Sequence, residues 1–170
     1  MSRPLFTMLA GYNAWANERV YSAAETLSDG DFRADRGAFF KSVHGTLNHL
    51  LVADRIWMRR FTGEGDAPNR LDAILFERLD ELRAARRAED ERILRYVEGL
   101  TDAALAGRIR YRNISNSAEF EQPLAPALLH LFNHQTHHRG QVHGLLTALT
   151  GEAPSLDLIL FQRESGMGLT

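Results

Sequence analysis

Cysteine is absent from the 170 residues. Neither a disulfide framework nor a thiolate metal site is then possible, so any metal must be held by imidazole and oxygen ligands. A surplus of either charge is also missing, since 20 Lys and Arg stand against 22 Asp and Glu and leave a net charge of −2. Such a balance gives no general attraction for the phosphates of nucleic acid or for an anionic membrane surface, so no nucleic-acid partner is expected. No apolar run approaches the length needed to cross a bilayer, and the start "MSRPLFTMLAGYNAW" lacks the apolar stretch and cleavage-like segment of a secretory leader. A soluble, cytoplasmic protein with no membrane partner is the expectation. Internal repeats, low-complexity segments and a strand set able to form a sheet core are lacking too, while 44% hydrophobic residues suffice for the core of one domain, residues 1–170.

What the chain does contain is helical periodicity. Ser2, before Arg3 and Pro4, reads as an N-cap, and Phe6, Leu9, Ala16, Val20, Ala23 and Leu27 recur at helical spacing until Asp29-Gly30 closes helix one. Val43, Leu47, Leu50, Trp57, Met58 and Phe61 carry the same period through helix two to Thr62-Gly63. After a loop with Gly, Asp and Pro, Asn69 and Asp72 predict the opening of a third helix, whose Leu71, Leu75, Leu79, Leu82, Ile93 and Val97 lead toward Gly99. Its centre, "RAARRAEDERILR", interleaves acids with arginines, places Arg87, Glu91 and Arg95 at i, i+4 spacing, and reads as a solvated face rather than a nucleic-acid patch. Residues 107–122 lose the helical period around a polar Asn-Ser centre, which predicts a short hairpin or two extended arms. Helix four runs from Pro123 or Pro126 to Thr150, stopped by Gly151, and Ser155 after Pro154 caps a short last helix holding Leu156, Ile159, Leu160 and Phe161. The fold class is therefore all-α: an up-and-down four-helix bundle with a short fifth helix and a small extended segment before the last long helix.

Residues 128–143, "LLHLFNHQTHHRGQVH", hold five of the seven histidines. With about 100° per residue and His130 taken as the origin, Leu124, Leu131, Val142 and Leu149 fall at about 100° to 120°, so the buried stripe of helix four centres at about 110°. His138 then lies at about 80° and His134 at about 40°, inside the reach of that stripe. His130 at the origin and His137 at about −20° lie farther from its centre, and His143 points away at about 220°. His134 and His138 are the inward pair, and their i, i+4 spacing lets two imidazoles converge on one metal ion. A third ligand must come from another helix, because no acid occurs between residues 124 and 149. His44 and His49 on helix two lie at opposite edges of its apolar stripe, and geometry does not choose between them.

Asp54 and Asn13 also point toward apolar faces. For Asp54 the reading is a buried hydrogen bond or ion pair tying helices together, with orientation of a ligand histidine as the alternative. Asn13 calls for a structural partner. Gln141 falls among the histidines and is expected at the surface, with a hydrogen bond to a ligand as the alternative. Arg139 is expected to pair with Asp54 or another buried acid, and Gly140 to let a neighbouring helix approach.

Three stretches taken together, "YNAWANERV", "TLNHLLVADRIW" and "LLHLFNHQTHHRGQ", resemble the DinB family of metal-binding four-helix bundles, in the same order and over almost the whole chain. The resemblance implies that a histidine of the second helix joins the H-x-x-x-H pair of the late helix, which assigns the metal ligands to His49, His134 and His138. It also implies a homodimer in many members, and a divalent metal such as zinc or nickel. Three neutral imidazoles without thiolate suit Zn, Ni, Fe or Co, and the affinity order does not decide among them.

Three protein ligands leave at least one position open to water or substrate, as a catalytic site requires. Because relatives in this family include transferases and isomerases that use low-molecular-weight thiols, the resemblance implies a small-molecule substrate and thiol transfer to an electrophile. Metal-dependent hydrolysis and a non-catalytic, stress-associated metal-binding role are the alternatives. No side chain stands out as a general base; Asp54, Gln141, His130 and His137 are candidates by position alone.

Overall fold

The computed structural model describes residues 2–113 and 118–169. Four long helices, α1 (Arg3–Ala24), α3 (Val43–Thr62), α4 (Leu79–Glu98) and α6 (Leu124–Thr150), form the bundle. Three short ones join them among the described residues: α2 (Asp29–Arg33), α5 (Asp102–Leu105) and α7 (Leu158–Ser165). The strands β1 (Arg108–Arg112) and β2 (Glu119–Pro123) pair antiparallel, with Arg108 opposite Pro123 and Arg112 opposite Glu119. The all-α class and the hairpin before the last long helix are as the sequence indicated; the polar centre expected at residues 114–117 lies outside the described residues. No helix among those described is long and apolar enough to cross a membrane.

Local chemistry sets most boundaries. Ser42 starts α3 by accepting the Gly45 N–H at 3.0 Å, and Gly63 and Gly151, with φ of 77° and 81°, end α3 and α6 in the left-handed conformation that glycine adopts without strain. Three expected boundaries are displaced. Asp29-Gly30 does not end the first helix: α1 stops at Ala24, and Ser28 caps α2 by accepting the Asp31 N–H. Asn69 does not open the third helix, which begins at Leu79. The backbone of the preceding segment is engaged elsewhere: Asn48 Oδ1 accepts the Leu75 and Phe76 N–H groups, and Asn48 Nδ2 donates to the Phe76 carbonyl. Those bonds replace the i→i−4 pairing a helix would need. The cap of α7 is Asp157, not Ser155.

Contacts along the helices give their directions. Phe6 stacks near Phe132 and Asn13 meets Arg139, so α1 and α6 run parallel. Asn17 meets Asp90 and Glu25 meets Arg83, so α4 runs opposite to α1. His49 faces His134 and Trp57 faces His130, so α3 runs opposite to α6. The second and third long helices therefore point the same way, so the order is up-down-down-up rather than the expected up-and-down one, because residues 63–78 return along a helix length of about 30 Å between them instead of closing a short turn.

Two apolar clusters fill the bundle. One contains Phe6, Met58, Ile93, Leu128 and Phe132, the other Val20, Leu47, Leu51, Leu82 and Leu146. Between them in sequence on every long helix sit buried polar residues: Asn13 and Asn17, Asp54, Arg86 and Asp90, Gln135 and Arg139. This overturns the solvated-face reading of the charge-rich helix for three residues, since Arg86, Glu89 and Asp90 are 1%, 6% and 6% exposed. Arg86 and Asp90 stand at i+4 and i+8 from Leu82, on the same inward stripe as Ile93 and Val97, so burial of that stripe carries them inside. Arg86 offsets its desolvation by contacting Asp54 at 2.7 Å and Asp90 at 3.0 Å, and Asp90 also accepts from Asn13 and Asn17.

Candidate metal centre

His49 on α3 and His134 and His138 on α6 come together beside this polar layer, each offering one ring nitrogen within 4.8 Å of the others. His49 Nε2 lies 3.2 Å from His134 Nε2. Two nitrogens bound to a tetrahedral ion at about 2.0–2.1 Å stand about 3.3 Å apart, so the spacing fits. Facing lone pairs at that distance repel unless a cation or a shared proton lies between them.

The other ring nitrogens of His49 and His138 fix the tautomers of those two rings. His49 Nδ1 is 2.8 Å from the Leu71 carbonyl, which can only accept, so Nδ1 carries the proton and Nε2 presents its lone pair. His138 Nδ1 donates in the same way to Gln141 Oε1 at 2.9 Å, and Gln141 Nε2 donates to His137 Nε2 at 3.3 Å. His134 Nδ1 is buried with no hydrogen-bond partner among the described residues. Burial pushes His49 down to about 4 and His134 to about 3, with the neighbouring imidazoles adding to the effect, and burial also lowers His138. All three rings are therefore neutral near pH 7, the form that binds metal. The donor set fits a divalent ion, and the cluster could hold one.

Close backbone approach shapes one wall. A Cβ on Gly45 would stand 2.2 Å from the Phe40 carbonyl oxygen, so only glycine admits the turn that precedes α3. That turn lays the Phe40 ring on His49, with centroids 3.6 Å apart and planes 15° apart, and edge-on to His138 at 5.5 Å. Periodicity does not reach Phe40, which lies in an irregular segment, and it counts Leu71 as an apolar position of helix three, whereas Leu71 acts here through its backbone carbonyl outside any helix.

The remaining expected residues divide as follows. His44 stays out of the cluster: its Nε2 bonds the Phe76 carbonyl at 3.0 Å. His130 and His137 are exposed at the margins, 5.9 Å from the His134 ring and 4.7 Å from the His138 ring, and His143 is half-buried outside the cluster. Gln141, expected at the surface, is half-buried against His138. Asp54 makes the helix-tying ion pair with Arg86; burial pushes its carboxyl up to about 6 against the opposing influence of that cation.

Arg139 does not pair with Asp54. It is fully buried and donates to Asn13, Asn17 and Gln135, because Arg86 already occupies the space beside the carboxylate. Gly140 is exposed with nothing near its missing Cβ, so no helix approaches there.

A cavity of about 400 Å³ opens beside His49 and His134, lined among others by Ile56, Trp57, Arg60 and His130. The sequence model of the DinB family matches residues 1–167. Protein DinB of Bacillus subtilis (strain 168) is 25% identical over 142 residues, an alignment covering 79% of this chain and 80% of that protein.

Proposed function

The chain belongs to the DinB family, and from that premise we propose that it is a metal-dependent enzyme that activates a low-molecular-weight thiol for transfer to an electrophile. The observation that carries the reading is the convergence of three neutral imidazoles, His49, His134 and His138, at the wall of a cavity large enough for a small molecule. A divalent ion held there, zinc or nickel first and iron or cobalt next, would act as a Lewis acid and bring a thiol toward its anionic form near neutral pH.

The chain's own groups supply the rest. The Leu71 carbonyl and Gln141 hold the His49 and His138 rings with Nε2 inward. Phe40 covers His49, and Ile56 and Trp57 give the adjoining cavity apolar walls. His130 lines the same cavity, where the loss of part of its water together with the Arg60 cation lowers its pKa, so it is neutral and placed to accept the thiol proton. Hydrolysis would use the same open position. It ranks second because no carboxylate among the described lining residues is at hand to activate water.

Purified protein is expected to hold about one divalent ion per chain, and His134→Ala/His138→Ala to lose it, as measured by metal analysis. Thiol transfer should disappear on chelation and return with metal. Full metal retention by the double variant, or turnover indifferent to chelation, would refute the proposal.

A further inference from the structure

We infer that Arg60 is the anion-binding residue of this cavity, receiving a carboxylate carried by the thiol or the electrophile at a distance from the cluster histidines His49 and His134. The inference rests on the proposed function for its biological meaning, but not for its test.

On α3, His49, Ala53, Ile56 and Arg60 recur at i, i+4, i+7 and i+11, so one helix face carries a cluster histidine at one end and a cation at the other. Their Cα atoms are about 16 Å apart along the axis, a separation shortened by the lean of the Arg60 side chain toward the helix N-terminus. The 400 Å³ cavity is lined by both residues, and a second one of about 500 Å³ shares Ile56, Arg60 and Tyr111 with it and continues past Arg59. Arg60 therefore stands where the two cavities meet, on the side of the first that faces away from His49 and His134.

The environment of Arg60 is unlike that of the structural arginines. Arg86 faces Asp54 and Asp90, Arg83 faces Glu18 and Glu25, and Arg110 and Arg112 on β1 are engaged by Glu121 and Glu119. Arg60 is half-buried, and no carboxylate among the described residues pairs with it or lines either cavity. Its guanidinium instead lies 4.5 Å from the Trp57 ring centroid and 4.4 Å from that of Tyr111. Contact with two aromatic faces fixes the plane of the group while leaving its edge donors free for a planar oxyanion. Desolvation lowers its pKa, as it does that of the structural Arg139, but Arg139 is satisfied by the amide oxygens of Asn13, Asn17 and Gln135, whereas Arg60 has no hydrogen-bond acceptor among the described residues. A carboxylate from outside supplies the missing partner through paired N–H···O bonds and holds the substrate's reacting end toward the histidines.

The binding test needs neither metal nor turnover. Metal-stripped protein, in which an ion cannot serve as the anion receptor, is titrated with succinate and with its neutral counterpart succinamide, following the fluorescence of Trp57 in a Trp15→Phe background. Succinate is expected to bind and succinamide not. Arg60→Met, which keeps the stem for stacking, should weaken succinate binding roughly tenfold to a hundredfold, and Arg60→Lys should restore part of it. Equal succinate affinity in Arg60→Met, or equal binding of succinamide, would overturn the assignment whatever the fate of the thiol-transfer reading.

Turnover with metal then identifies which substrate carries the charge. Mercaptosuccinate is compared with 2-mercaptoethanol using iodoacetamide, and iodoacetate with iodoacetamide using 2-mercaptoethanol. In Arg60→Met the KM of the carboxylate-bearing partner should rise relative to its neutral counterpart in one of these pairs. A KM unaffected in both defeats the inference.

Discussion

Gln141→Leu is the sharpest single probe of the candidate metal centre. The amide oxygen accepts the His138 Nδ1–H at 2.9 Å, and leucine removes that acceptor with little change in volume. Groups that orient a ligand histidine typically contribute tenfold to a hundredfold in metal affinity. Here the effect belongs near the lower end, because the His49 and Phe40 rings still pack against His138 with centroids 4.5 and 5.5 Å away. The tautomer is released but the ring remains caged, so a loss of about tenfold, or about 1.4 kcal/mol, is expected. Competition for zinc against a chromogenic chelator at fixed pH measures it. Gln141→Glu keeps an acceptor and should bind at least as tightly as the wild type. Folding stability should change by no more than about 0.5 kcal/mol, since the position is half-buried on the outer side of α6. Zinc affinity of Gln141→Leu within about twofold of wild type would show that the amide does not hold His138 for metal.

Two further outcomes concern the folded state. Arg86→Met strands the Asp54 and Asp90 carboxylates in the interior, so urea unfolding should show a loss of about 3–5 kcal/mol, and a loss below about 1 kcal/mol would mean that these acids are hydrated. In the metal-free protein, His49 and His134 titrate near 4 and 3 in the native state but near 6.5 unfolded. As pH falls below 6.5 the unfolded chain takes up protons that the native rings refuse, so the stability they allow is intact above that pH and declines toward pH 4, by at most about 1.4 kcal/mol per unit and ring before solvent screening. Asp54, raised to about 6, acts in the opposite sense, so the comparison is wild type against His49→Gln/His134→Gln, in which its contribution cancels. The variant should lose less stability between pH 7 and pH 5; parallel curves would refute the assignment.

His134 and His138 are legible from the chain because both belong to one uninterrupted helix, where a wheel fixed by Leu131 and Val142 converts position directly into direction. The same wheel would have turned Arg86 and Asp90 inward along the stripe of Leu82, Ile93 and Val97. Their charge alone assigns them to the surface. His49 needed a family resemblance to separate it from His44, since both lie at the edges of a stripe and the difference is made by residues from elsewhere: Phe76 takes His44, and Leu71 and Phe40 take His49.

By itself, then, the sequence determined what is local and periodic: four long helices, a hairpin, the inward histidine pair and, through the lack of cysteine, a centre without thiolate. Tertiary structure decided whatever depends on irregular backbone meeting a helix from far along the chain. The segment before α4 stays unwound because Asn48 binds its amides, and its Leu71 carbonyl then sets the His49 tautomer. The turn before α3 lays Phe40 on that ring because Gly45 has no Cβ. No pattern of hydrophobic spacing encodes such contacts, for they join groups whose only relation is their place in the folded bundle.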